Sequence, residues 1–78
     1  NIPIAYVGDT IADINTVLNA RKEIPSQKFI SIGIAPPHLH LNSRLKERNS
    51  YETNLRNAGA DLILNNIYEL KDINLDMF

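Results

Sequence analysis

Three short apolar runs alternate with stretches of helical periodicity along the 78-residue chain. Runs of this length that are apolar on both faces are typical of parallel strands buried in an α/β sheet. They predict strands over residues 2–7, 29–35 and 61–65. Helical spacing predicts helices over residues 11–22 and 51–58, and a last helix that starts at 67–70 and frays toward Phe78. The alternation predicts an α/β fold whose parallel strands are joined by right-handed crossovers.

Proline, glycine and serine residues mark the boundaries between these elements. Pro36-Pro37 ends the second strand, because proline cannot donate a hydrogen bond to a β-ladder. Ser50 is the predicted N-cap of the second helix, and Gly59 is its predicted C-terminal stop. The polar residues 38–50 predict a loop, in which residues 44–48 could form a single helical turn.

Composition narrows the classes of partner. A net charge of −1 argues against nucleic acid or an anionic membrane surface, and no apolar run approaches the roughly 20 residues that span a bilayer. The chain has no cysteine, which excludes disulfides and thiolate metal sites. Together with the lack of a signal-peptide pattern, this predicts a cytoplasmic protein.

The first strand and the start of the chain suggest that part of the sheet lies elsewhere. Three strands are few for such a sheet, and the first would be an apolar edge that invites pairing with another strand. The chain also begins with Asn1 rather than Met. We interpret residues 1–78 as the C-terminal portion of a single core domain, although a mature protein without a leader would show the same pattern.

The most informative motif is acidic, and it follows the first predicted strand. Asp9 lies in the turn after Gly8, and Asp13 follows one helical turn later on the same side. In open α/β sheets ligands bind at the carboxyl ends of the strands, and two carboxylates can hold a hard cation there. An acidic residue at a helix start also stabilises the helix dipole. The pair alone therefore leaves metal binding and a structural role equally open.

Two sequence motifs, in this order along the chain, resemble motifs of a known superfamily. The segment Tyr6-Val7-Gly8-Asp9-Thr10-x-x-Asp13 resembles the fourth conserved motif of the haloacid dehalogenase superfamily. The later segment Ala58-Gly59-Ala60-Asp61-Leu62-Ile63, followed by Glu69-Leu70, is similar to the closing strand and helix of that superfamily. The resemblance spans most of the chain and implies the C-terminal part of a three-layer, Rossmann-like core.

The resemblance also implies a function and a cofactor. Asp9 would be a ligand of Mg²⁺, and Asp13 a supporting acid that acts through water or by fixing its neighbours. The intact protein would be a phosphatase acting on a small phosphorylated metabolite. The nucleophilic Asp-x-Asp-x-Thr motif of the family is absent, and Lys22 and Lys28 follow the acidic motif, so neither matches the family's phosphate-binding Lys by order. We therefore expect this chain alone to be inactive and to require the upstream part of the same domain. The long connection over residues 21–28 also departs from the family pattern.

Three other groups of residues have alternative interpretations. His38 and His40 could bind zinc or copper, but no further ligands are evident, and a solvated loop is favoured. The basic residues Arg44, Lys46 and Arg48 could meet a substrate phosphate, but a solvated charged run is favoured. The aromatic residues are too scattered for a nucleic-acid stacking platform and are predicted to pack; they are Tyr6, Phe29, Tyr51, Tyr68 and Phe78.

Two functional hypotheses follow. The first is the metal side of a phosphohydrolase. The second is a non-catalytic α/β binding or assembly module that works through its exposed edge strand. A flavodoxin-like receiver domain is a third fold option, but its phosphorylated Asp and later Lys have no match here.

Overall fold

The computed structural model describes residues 2–75 and residue 78, and it has an α/β architecture. The regular elements in chain order are β1 (Ile4–Gly8), α1 (Ile11–Glu23), β2 (Phe29–Ile34), α2 (Leu45–Ala58) and β3 (Leu62–Leu64). Short 3₁₀ segments cover Pro37–His40, Asn42–Arg44 and Ile67–Asp72. The strands form one parallel sheet in the order β1-β2-β3. The predicted fold class is confirmed at this level, that of a parallel α/β sheet compatible with a Rossmann-like layout.

The alternation of side chains along β2 separates two layers of packing. Ile30 and Ile32 form one core cluster with Leu64, and the C-terminal residues Leu70, Ile73 and Leu75 pack against it. Gly33, on the other side of the strand, faces α2, since a Cβ there would lie 3.2 Å from Leu55 Cδ1. The sheet therefore lies between α2 on one face and the C-terminal segment on the other.

A hydrogen-bonded network holds the strands together at the amino edge of the sheet. The backbone N–H of Ser31, a fully buried residue, donates to Asp61 Oδ2 over 2.8 Å. The same carboxylate oxygen pairs with Arg21, whose guanidinium also donates to the Phe29 carbonyl over 2.9 Å. Asp61, which belongs to the second motif of the family resemblance, thus links α1, β2 and the start of β3.

The second helix begins earlier than predicted. α2 starts at Leu45, so residues 45–50 are helical rather than a loop, and Ser50 lies inside the helix instead of capping it. Helical periodicity was weak there because its first two turns are mostly exposed, Leu45 included. Charged pairs one turn apart stabilise this stretch instead, such as Arg48 with Glu52. Gly59 ends the helix as predicted, with a positive φ of 121°.

The last predicted helix is a 3₁₀ segment over Ile67–Asp72. Its start is a capping box, in which Glu69 Oε1 accepts from the backbone N–H groups of Asn65 and Asn66 at 2.7 and 3.0 Å. The predicted fraying beyond it falls partly on residues 76 and 77, which lie outside the described residues. No helix in the described part of the chain is long and apolar enough to cross a membrane.

Candidate functional site

The carboxyl ends of the three strands meet at one pocket. Asp9 follows β1, Ala35 and the two prolines follow β2, and Asn66 follows β3. The pocket has a volume of about 390 Å³, and its lining residues are Asp9, Ile34, Ala35, Pro36, Pro37, His40, Asn66 and Ile67. This is the edge at which ligands bind in open parallel sheets.

Asp13 reaches back over the turn that carries Asp9. Its Oδ2 accepts hydrogen bonds from the backbone N–H of Asp9 (3.1 Å), the backbone N–H of Thr10 (3.1 Å) and the Thr10 hydroxyl (2.9 Å). Thr10 Oγ1 in turn accepts from the Asp13 backbone N–H at 3.2 Å, which completes a capping box at the start of α1. One oxygen of Asp13 is therefore committed to the shape of the turn.

Gly8 makes this fold-back possible. A Cβ at position 8 would lie 2.6 Å from Asp13 Oδ2 and closer still to Asp13 Cβ. Separations this small are excluded by steric repulsion, so any side chain at position 8 would force Asp13 away from the turn. The glycine, the threonine and the second aspartate of the motif thus form one interdependent structural unit.

Tyr51 on α2 braces the same turn from a distant part of the chain. Its hydroxyl donates a hydrogen bond to the backbone carbonyl of Asp9. Desolvation raises the pKa of the Tyr51 phenol above its ordinary value of 10.0, and the nearby negative charges of Asp9 and Asp13 raise it further. Tyr51 was expected only to pack, and no sequence signal connects residues 42 positions apart.

The backbone of Asp9 is held by hydrogen bonds, whereas its carboxylate makes none within the described part of the chain. Asp9 is half-buried and lines the pocket, and its backbone N–H and carbonyl are both hydrogen-bonded. No hydrogen bond to its carboxylate oxygens is formed within the described part of the chain. A carboxylate in this state suits Mg²⁺, which is usually held by one or two carboxylates together with waters and substrate phosphate.

The donor set around Asp9 is small. No group of three or more His, Asp or Glu side chains able to hold a metal occurs among residues 2–75 and 78. The geometry brings Asp9 and Asp13 together, as the sequence predicts, but gives them different tasks. Asp9 lines the pocket, whereas Asp13 accepts hydrogen bonds from the backbone of the turn.

The two histidines do not act as a pair. His38 is exposed, whereas His40 lines the pocket with its Nε2 2.7 Å from the Ala35 carbonyl oxygen. A carbonyl oxygen can only accept, so Nε2 is the donor in this hydrogen bond. His40 therefore contributes a polar group to the pocket wall.

The basic residues after the second strand divide between surface and interior. Lys46 is exposed, and Arg44 is exposed and paired with Glu47. The prediction of a solvated run is wrong for Arg48, whose guanidinium pairs with the buried Glu52 at 3.1 Å and donates to the Asn65 carbonyl. The sequence missed this contact because Asn65 is 17 positions away. Arg48 thereby fixes the end of β3 beside the pocket.

The aromatic residues also depart from expectation. Tyr68 is 79% exposed, Tyr6 is 43% exposed on the edge strand, and Phe78 is 39% exposed. The prediction that the aromatic residues pack is therefore wrong for these three.

Comparison with protein-family models, with curated proteins and with solved structures finds no match to this chain.

Proposed function

We propose that this chain is the metal-binding side of a Mg²⁺-dependent phosphohydrolase of the haloacid dehalogenase type, acting on a small phosphorylated metabolite. The observation that carries the proposal is the carboxylate of Asp9, which lies at the carboxyl edge of a parallel sheet in a turn that other residues hold in place. Among residues 2–75 and 78, no side chain or backbone N–H is hydrogen-bonded to this carboxylate. The resemblance of the acidic motif to that superfamily supports the same assignment.

Each residue of the turn has a distinct task in this proposal. Asp9 binds the cation through a carboxylate oxygen, and Asp13 fixes the backbone of Asp9 and Thr10. Tyr51 fixes the Asp9 carbonyl. When bound, Mg²⁺ would neutralise negative charge on the phosphoryl group during its transfer. In this proposal the nucleophile comes from residues outside this chain, so we expect the chain alone to bind metal without turning over substrate.

Metal binding can be tested on the chain itself with Mn²⁺ as a paramagnetic substitute for Mg²⁺. In amide-resolved NMR spectra, we expect low concentrations of Mn²⁺ to broaden the signals of residues 8–13 and those lining the pocket. Asp9→Asn should remove this selective broadening, because an amide has no charge to hold the cation.

Asp72→Asn is the matched control, since Asp72 is an exposed aspartate outside the pocket. It should leave the broadening unchanged. Broadening centred elsewhere in the wild-type chain, or equal broadening in Asp9→Asn, would remove Asp9 as the metal ligand.

A second candidate function is an assembly module, and the exposure of β1 favours it. In the sheet formed by the described residues, β1 is the edge strand and pairs with β2, and Ile4 and Tyr6 on it are 49% and 43% exposed. An apolar strand with one free edge is a template for another strand. In this alternative the pocket has no catalytic task and β1 is the working surface.

A further inference from the structure

The pocket beside Asp9 has a predominantly apolar wall. Ala35 is 2% exposed, and Ile34 and Pro36 beside it are half-buried. Pro37 and Ile67 contribute apolar surface at the rim. The polar groups of the lining are those of Asp9, His40 and Asn66.

The charge of the lining restricts how an anion can enter. Asp9 is the acidic residue of the lining, and no Lys or Arg is among the lining residues. A phosphate group placed here would meet a carboxylate without a compensating cation from the wall. It therefore binds only next to a metal on Asp9, and the rest of the ligand must lie against the apolar wall.

The size and chemistry of that wall define the rest of the ligand. A volume of about 390 Å³ exceeds the roughly 150 Å³ of an apolar cavity that accommodates benzene. Where a sugar body lies against proline and isoleucine carbons, its hydroxyl groups lose hydrogen bonds to water that those carbons cannot replace. A hydrocarbon group has no hydrogen bonds to lose there, and its transfer from water to the apolar wall is favourable.

We infer that the site takes a phosphomonoester whose organic part is a single aromatic ring or a short aliphatic chain, rather than a sugar phosphate. This inference rests on the proposed function for the phosphate end of the ligand. The hydrocarbon end rests on the pocket wall alone.

The test is an NMR titration of the 78-residue chain with methyl-labelled isoleucines. The ligands are phenyl phosphate and glucose 6-phosphate, each with Mg²⁺, and phenol without metal. We expect phenyl phosphate to bind at least tenfold more tightly than glucose 6-phosphate and to shift the methyl signals of Ile34 and Ile67. Phenol should shift the same two signals. Equal affinities for the two phosphates, or shifts of other isoleucines only, would overturn the inference.

A pair of rim variants locates the binding. Ile67 is 51% exposed, so Ile67→Ser should fold, and we expect it to weaken phenyl phosphate and phenol binding severalfold while Mn²⁺ broadening at Asp9 persists. Tyr68→Ser is the control, since Tyr68 is the adjacent residue, more exposed and outside the lining, and it should bind as wild type does. Unchanged binding in Ile67→Ser would contradict the assignment of the wall.

The experiments test the metal-binding part and the apolar part of the proposed site independently. Loss of selective Mn²⁺ broadening in the wild-type chain would count against the proposed function. Phenol shifts at Ile34 and Ile67 would support the apolar part of the site even then.

Discussion

Gly8 and Asp13 are the residues on which the shape of the candidate site depends most directly. Gly8→Ala should destabilise the chain by about 1–3 kcal/mol, because the new Cβ would overlap Asp13 and expel it from the turn. Gly33→Ala is the control, since its Cβ would meet the ends of the flexible Ile63 and Leu55 side chains at 3.0 and 3.2 Å. Urea unfolding should show the larger loss for Gly8→Ala, and equal losses would contradict the close approach.

Tyr51 couples the stability of the chain to alkaline pH. Its pKa is raised in the folded state, so folding favours the neutral phenol. This contribution is complete below the unfolded pKa of about 10 and is lost as pH rises through the higher folded value. We expect Tyr51→Phe to lose stability at neutral pH and to show a weaker decline of unfolding free energy above pH 10.

Urea unfolding at several pH values measures both effects for the wild type and Tyr51→Phe. Tyr68→Phe is the control, because Tyr68 is 79% exposed. If the wild type and Tyr51→Phe declined in parallel above pH 10, the bond between Tyr51 and the Asp9 carbonyl would not be coupled to stability.

At the scale of elements, we expect the hydrogen-bonded network at the amino edge of the sheet to contribute substantially to the free energy of unfolding, although its side chains are partly exposed. Asp61→Ala leaves the N–H of the buried Ser31 without its acceptor, which costs about 1–3 kcal/mol. The ion pair with Arg21 adds little, because both side chains are about one-third exposed. Asp61→Asn retains an oxygen acceptor and should recover most of the loss. Thermal unfolding of both variants measures this, and equal losses would mean that the charge dominates.

The strands and α1 were predictable because their buried positions are occupied by apolar residues at regular spacing in the sequence. The predicted strands lie within about two residues of β1, β2 and β3, and the first helix ends one residue later than predicted. α2 was less predictable, since its first turns are exposed and stabilised by charged pairs. The capping box at Asn66 also begins a 3₁₀ segment rather than an α-helix, a distinction that apolar spacing does not encode.

At the scale of the whole molecule, the candidate site was predictable only as far as it is local in sequence. Asp9 and Asp13 are neighbours along the chain, and their place after a strand indicated the edge where they lie. Tyr51, His40 and the apolar wall come from separate segments that the fold brings together. Chemistry assembled from distant segments leaves no periodicity or spacing to detect.

The free edge of β1 predicts concentration-dependent self-association of the isolated chain. Tyr6→Lys should suppress it, because a charged side chain on an edge strand opposes pairing with another strand. Tyr68→Lys is the control, because Tyr68 is an exposed aromatic residue that lies outside the sheet. Sedimentation velocity over a range of concentrations measures the effect. A wild-type chain that stays monomeric throughout would count against β1 as an interaction surface.

The central claim is that Asp9 holds the metal of a phosphohydrolase. The most direct measurement is Mg²⁺-dependent phosphate release from an aryl phosphate by the full-length protein, beside its Asp9→Asn and Asp72→Asn variants. We expect activity in the wild type and in Asp72→Asn, and a loss of orders of magnitude in Asp9→Asn. A folded protein that hydrolyses no phosphomonoester, or an Asp9→Asn variant as active as the wild type, would contradict the claim and favour the assembly module.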